Sequence, residues 1–116
     1  FGFEKLEVWQ KAIELADNVY AVTRRFPDDE RFGLTSQLRR AAVSVAANIA
    51  EGSGRSSKKD FARFVEIAYG SLMEVVSHLA IATRQRMMGE DEYEGLYKKV
   101  EQLVRMLSGL RNSLSR

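Results

Sequence analysis

The sequence contains no cysteine, one proline and one histidine in 116 residues. Without cysteine, the chain can form no disulfide bond and can use no thiol nucleophile or thiolate metal ligand. Because proline interrupts helices, its scarcity favours an all-helical protein, as does the abundance of Ala, Leu, Glu, Lys and Arg. No segment reaches about 18 uncharged apolar residues, which argues against a transmembrane helix.

The rest of the composition is typical of a soluble globular protein. Hydrophobic residues make up 45% of the chain and charged residues 29%, a length and balance that suit one core rather than two. We therefore expect a single domain over residues 1–116. The charges of Glu4, Lys5 and Glu7 are unlike a secretory signal, so we expect a cytoplasmic location. A net charge of +2 is too small to indicate a nucleic-acid-binding protein by itself.

Apolar residues recur at steps of three and four along most of the chain, which predicts helices. The predicted helices cover about residues 3–26, 35–52, 57–88 and 91–113. Four amphipathic helices with short connections favour an antiparallel up-down four-helix bundle. The wide apolar sectors of these helices exceed what one small bundle can cover, so we also expect self-association.

The second predicted helix is the one around which the others must pack. From Leu38 to Ala50 its only charged residues are Arg39 and Arg40, so most of its circumference should be buried. We expect this helix to end in Glu51-Gly52-Ser53-Gly54, where a glycine can take the left-handed conformation of a C-cap. Ser57 should then cap the third helix, and Gly89 should end it.

The second and third helices each carry a line of polar residues. Because a short turn joins the two helices, they should lie antiparallel. The residue numbers of two facing positions then have nearly the same sum along the whole pair of helices. This alignment pairs Glu51 with Arg63, Asn48 with Glu66, Ser44 with Gly70, and Arg40 with Glu74. Each pair is opposite in charge, able to hydrogen bond, or small. We interpret these residues as a buried polar network that fixes the register of the two helices.

The same polar residues give little support to catalysis. Glu66 and Glu74 lie about 12 Å apart along one helix, too far to share a metal ion. His78 is not part of the Glu-x-x-His motif of di-metal bundles, and no glycine-framed serine is present. We therefore predict that the protein is not an enzyme and needs neither a metal nor a cofactor.

The turn between the second and third helices is rich in glycine, serine and cations. Arg55, Lys58, Lys59 and Arg63 lie within it or just after it. One interpretation is a solvated turn with capping serines, and the other is contact with nucleic-acid phosphates at a helix N-terminus. Arg39 would extend such a basic patch in an oligomer.

Several short motifs add a family resemblance. They are Val8-Trp9-Gln10-Lys11-Ala12, Phe26-Pro27, Gly33-Leu34-Thr35-Ser36-Gln37-Leu38-Arg39-Arg40-Ala41, Asn48-Ile49-Ala50-Glu51-Gly52, Arg55, Phe61, Phe64, and Gly70-Ser71 with Glu74. In order and spacing they resemble the four-helix-bundle proteins found in intervening sequences of bacterial large-subunit ribosomal RNA genes. The sequence departs from that pattern at Ala46, where proline is common, and at His78, where glutamine is frequent.

This resemblance implies a ring-shaped homopentamer without catalytic activity. It also implies kinship with the nucleic-acid-binding accessory protein of diversity-generating reverse transcriptases. We accordingly expect a non-catalytic oligomeric scaffold that contacts structured RNA, or a nucleic-acid-bound partner, through the basic turn. The alternative is a protein–protein adaptor that binds no nucleic acid. Neither interpretation involves a membrane.

Overall fold

The structure is a computed structural model that describes residues 1–116. It contains four long helices and no strand: α1 Glu7–Thr23, α2 Leu34–Ser53, α3 Lys58–Arg84 and α4 Glu90–Leu114. Two short 3-10 turns, Gly2–Lys5 and Asp28–Glu30, precede α1 and α2. The all-helical, four-helix prediction is confirmed, and the molecule measures 44 × 24 × 20 Å.

All of the buried apolar side chains except Phe64 form one continuous cluster, to which all four helices contribute. α2 packs most extensively on α3 and also packs on α1, while α4 packs on α3 and α1. Ala42, Val45 and Ile49 of α2 are completely covered. α2 is therefore buried along much of its length, as its low charge content predicts.

α1 is shorter than the predicted helix of residues 3–26. Leu6 has an extended backbone, which separates the first 3-10 turn from α1. At the other end, Pro27 keeps the preceding residue out of the helical region. The last backbone hydrogen bonds there join residues three apart, as in a 3-10 turn, with the Phe26 N–H donating to the Thr23 carbonyl. Phe26 nevertheless remains buried, because it folds back onto the core after the helix has ended.

α3 ends at Arg84, four residues before the predicted end. The N–H of Met87 donates to the Ala82 carbonyl, and the N–H of Arg86 donates to the Thr83 carbonyl. Together these bonds form a Schellman motif, in which the residue at the turn is left-handed. That residue is Arg86, at φ 62°. Gly89 does not end α3; it is the N-cap of α4.

The predicted left-handed glycine at the end of α2 is wrong, because no glycine in the chain has a positive φ. Gly52 lies inside α2 and is buried. A Cβ at this position would be 2.7 Å from the Cβ of Phe64 and 2.9 Å from Cδ1 of Phe61. The lack of a side chain at Gly52 therefore allows the end of α2 to approach the start of α3 closely. The predicted cap of α3 is confirmed, since the Asp60 N–H donates to Ser57 Oγ at 3.1 Å.

By length and composition, α3 is a helix that could span a membrane, although the chain has no long uncharged run. An 18-residue window in it has a mean hydropathy of 1.3, and 39% of that window is buried. The core helix of a soluble protein has the same character. In this fold Leu72, Val75 and Leu79 are fully covered.

Candidate nucleic-acid interface

The short connection between α2 and α3 places four of the five predicted binding residues close together. Arg55 lies in the connection, and Lys58, Lys59 and Arg63 lie in the first two turns of α3. All four are exposed. We call these four residues the basic turn.

The two arginines of the basic turn are held by one aromatic ring. Cζ of Arg55 lies 4.6 Å from the centroid of Phe64, and Cζ of Arg63 lies 4.7 Å from it. The ring itself is buried. Arg55 also donates to Glu51 at 2.7 Å, and Nε of Arg63 lies 4.0 Å from the Asp60 carboxylate. Cation–π contact and ion pairing therefore fix the stems of both arginines while their side chains stay largely solvated.

The two lysines have no such partners. Neither Lys58 nor Lys59 takes part in any ion pair. Both follow the N-cap directly, where the helix macrodipole is positive and a cation costs about 0.3–1 kcal/mol. Asp60 is the only acidic residue in this first turn. The stability of α3 thus gives no reason for two adjacent lysines at its start.

Arg39 does not belong to the basic turn within one subunit. It lies on α2 about 21 Å from Ser53, the last residue of the helix before the basic turn, at 1.5 Å per residue. Its Nε donates to Thr23 Oγ1 at 2.8 Å, and its guanidinium carbon lies 4.5 Å from the centroid of Tyr20. Arg39 therefore fastens α2 to the end of α1, at the opposite end of the helix from the basic turn.

The predicted buried network is wrong in its charged members. Arg40, Glu51, Glu66 and Glu74 are exposed, and none of them pairs as predicted. Glu51 pairs within its own neighbourhood with Arg55, and Glu66 faces α4. The physical reason is desolvation. A charged pair buried between two helices must lose its hydrating water, whereas charged side chains at the exposed edge of the helix–helix contact stay hydrated. Arg63 is likewise exposed and lies nearest Asp60.

A small neutral network does lie between α2 and α3. Ser44 Oγ and Ser71 Oγ are 2.8 Å apart, and Nδ2 of Asn48 donates to the carbonyl and hydroxyl oxygens of Ser44 at 2.8 and 2.9 Å. The predicted partner of Ser44 was Gly70, so the register was wrong by one residue. Gly70 is exposed, and a Cβ there would meet nothing within 4 Å.

Arg40 and Glu74 share a cleft between α2 and α3 without forming an ion pair. The cleft has a volume of about 250 Å³, and the two hydrogen-bonded serines are among the residues that line it. His78 also lines it, and its Nδ1 is buried without a hydrogen-bond partner. No group of three or more His, Asp or Glu side chains is placed to hold a metal ion.

Two ion pairs between helices have no signal in the local sequence pattern. Arg25, just after α1, pairs with Glu92 in the first turn of α4. The hydrogen bond from Arg25 lowers the pKa of the Glu92 carboxyl, and the N–H of Gly89 lowers it further. Arg111 donates to Glu66 at 2.7 Å, and this hydrogen bond raises the pKa of the Arg111 guanidinium above its usual value. Both pairs depend on which helices are neighbours in space.

Comparison with known proteins agrees with this architecture. Residues 4–109 match the model of the 23S rRNA-intervening sequence protein family. No curated protein matches the sequence. Among solved structures, a protein of unknown function of the S23 ribosomal protein family from Bacteroides thetaiotaomicron has a similar fold, with a TM-score of 0.83. The two are 22% identical, over 90% of this chain and 97% of that one. Because the family model matches most of this chain, the chain belongs to the 23S rRNA-intervening sequence protein family.

Proposed function

We propose that this protein is a non-catalytic helical scaffold that binds structured RNA through the basic turn. The proposal includes an antiparallel up-down arrangement of the four helices and a cytoplasmic location. It also includes assembly as a ring, with the number of five subunits taken from the family resemblance alone. A bound RNA, or a nucleic-acid-bound protein, would contact the basic turns of several subunits.

The observation that carries this proposal is the pair of lysines at the start of α3. Lys58 and Lys59 lack ion-pair partners and occupy a position that the helix dipole makes unfavourable for cations. A phosphate at the same place would meet both ammonium groups and the free N–H groups of the helix N-terminus. Arg55 and Arg63, whose stems rest on Phe64, would add guanidinium contacts to neighbouring phosphates.

Exposed apolar side chains support the self-association that the proposal requires. Val43, Ile67, Met73 and Ile81 are each between 40% and 46% exposed on α2 and α3. Covering such side chains against another subunit removes apolar surface from water. In a ring, each subunit would present its basic turn again, so weak single contacts would add up through a high effective concentration.

The proposal is tested by the double reversal Lys58→Glu with Lys59→Glu. We expect RNA affinity to fall roughly tenfold or more, with a salt dependence that is shallower by about one unit for each phosphate that the variant no longer binds. The free energy of unfolding should rise by about 1 kcal/mol, since anions suit the N-terminus of a helix. Filter binding over a salt series and urea unfolding measure the two effects.

The matched control is Lys5→Glu with Lys99→Glu, which changes net charge equally at exposed, unpaired lysines outside the basic turn. Affinity for RNA should be almost unchanged in this variant. If both reversals weaken binding equally, only net charge attracts the RNA. If the parent binds no structured RNA at low salt, the adaptor function, which the exposed apolar side chains favour, replaces this proposal.

A further inference from the structure

A second surface of the molecule lies at the far end of α2 from the basic turn. It is an open groove of about 810 Å³ between the end of α1 and the first half of α2. We call it the arginine groove and define it by Tyr20, Arg31, Phe32, Arg39, Arg40 and Val43. No carboxylate lines it. Arg31 and Arg40 take part in no ion pair, so their charges are free to meet an external anion.

The arginine groove also has an apolar anchor. Phe32 is 87% exposed, an unusual state for a phenylalanine within an ordered turn. The guanidinium carbon of Arg31 lies 5.3 Å from the centroid of its ring. Tyr20 and Val43 add further partly exposed apolar surface. Aromatic and arginine side chains grouped in this way are typical of the energetic centre of a protein–protein interface.

The opposite charge occurs on α4 of the same chain. Its first half carries free carboxylates and two neighbouring tyrosines, which we call the acidic face and define by Glu90, Asp91, Tyr93, Glu94, Tyr97 and Glu101. None of these carboxylates takes part in an ion pair. The two tyrosine rings have centroids 5.9 Å apart, and Tyr97 is 42% exposed. Arg84 and Lys98 line the same surface.

The two surfaces are placed so that they cannot meet within one subunit. α1 and α2 form the arginine groove, while α4 and the end of α3 form the acidic face. α1 does not pack on α3, and α2 does not pack on α4, so the two surfaces lie on opposite sides. The ion pair of Arg25 with Glu92 shows that the end of α1 and the start of α4 lie at the same end of the molecule.

We propose that the arginine groove of one subunit binds the acidic face of a second copy of this chain. Two arginine grooves would repel each other, as would two acidic faces, so the contact is head to tail rather than two-fold symmetric. Because a head-to-tail contact leaves a free groove at one end of the assembly and a free acidic face at the other, it repeats from subunit to subunit, and it closes a ring where the rotation between neighbours is a whole fraction of a turn. This inference rests on the self-association in the proposed function and identifies the surfaces that produce it.

The test begins with the double reversal Arg31→Glu with Arg40→Glu. Both side chains are exposed and unpaired, so the subunit should keep its fold, which a circular dichroism melt verifies. We expect self-association to weaken roughly tenfold or more. Glu94→Lys with Glu101→Lys on the acidic face should weaken it similarly. The four changes together restore opposite charges and should recover the parent's oligomer in sedimentation velocity.

A neutral variant separates apolar contact from charge. Phe32→Ser removes the anchor of the groove and should also weaken self-association. The matched control is Phe1→Ser, which removes an equally exposed phenylalanine outside the groove and should have no effect.

The outcomes distinguish this inference from the proposed function. If the parent sediments as a monomer at about 100 μM, both self-association and this interface are refuted. If the parent is oligomeric and all reversal variants keep the same size and affinity, self-association stands but this interface is refuted. Failure of the four-residue variant to recover assembly, after both pairs of reversals have abolished it, would also refute the charge pairing.

Discussion

Of the glycines in the chain, Gly52 has the least room for a side chain, because α3 packs directly against it. A Cβ there would overlap Phe64 and Phe61 of α3. Because neither the aromatic Cβ nor the backbone can move easily, we expect Gly52→Ala to destabilise the protein by about 1–3 kcal/mol. Gly70→Ala is the matched control, since that position in α3 is open and alanine favours helix by up to about 1 kcal/mol. Urea unfolding of both variants checks the prediction, and equal midpoints would contradict it.

The same residue illustrates what the sequence could reveal at this scale. A glycine before a turn predicts a C-cap from local rules, and only the position of α3 shows that the need is steric. Arg39 is similar, because its charge alone assigns it to the phosphate patch, whereas Thr23 and Tyr20 of another helix engage it. In contrast, the Ser57 cap depends on residues three apart and is predicted correctly.

At the scale of elements, the end of α3 stores backbone strain. Arg86 has φ 62°, a conformation that costs a residue with a Cβ about 1 kcal/mol relative to glycine. We therefore expect Arg86→Gly to raise the free energy of unfolding by about 0.5–1 kcal/mol. The same substitution inside a helix, at the exposed Arg105 of α4, should lower it by about 1 kcal/mol (Arg105→Gly). Thermal unfolding of the two variants should give shifts of opposite sign, and shifts of the same sign would refute the strained turn.

The helices themselves follow from apolar periodicity, but their ends and their polar faces do not. The left-handed position of the Schellman motif after α3 is Arg86, whereas a glycine there would have marked the helix end in the sequence. The prediction therefore continues the helix too far. The predicted network places the polar line of α3 opposite α2, whereas Glu66 faces Arg111 on α4. The periodicity of apolar residues shows which side of a helix is polar. It does not show which of the two flanking helices that polar side meets.

At the scale of the whole molecule, the pair of Arg25 with Glu92 links the first helix to the last. The lowered pKa of Glu92 means that the folded protein favours the ionised carboxylate. Its contribution to stability is therefore fully present above the unfolded pKa of about 4.3 and is lost as pH falls through the lower folded value. Glu92→Gln should be less stable than the parent at pH 7, and the difference should shrink below about pH 4. Arg25→Gln should remove most of this pH dependence, since the Gly89 N–H keeps a smaller part of the shift, and the double variant should lose no more stability than Glu92→Gln alone.

Self-association would make the stability of the fold depend on protein concentration. A subunit whose exposed side chains are covered by a neighbour is stabilised by mass action, because only the folded chain presents both complementary surfaces. We expect the melting temperature of the parent to rise by about 3–6 °C for each tenfold increase in concentration above the dissociation constant. The Arg31→Glu, Arg40→Glu variant should show a weaker dependence of melting temperature on concentration over the same range. A parent melting temperature that does not change between 1 and 100 μM, roughly the range in which such weak assemblies form, would show that the folded subunit is stable alone and that its exposed apolar side chains face solvent.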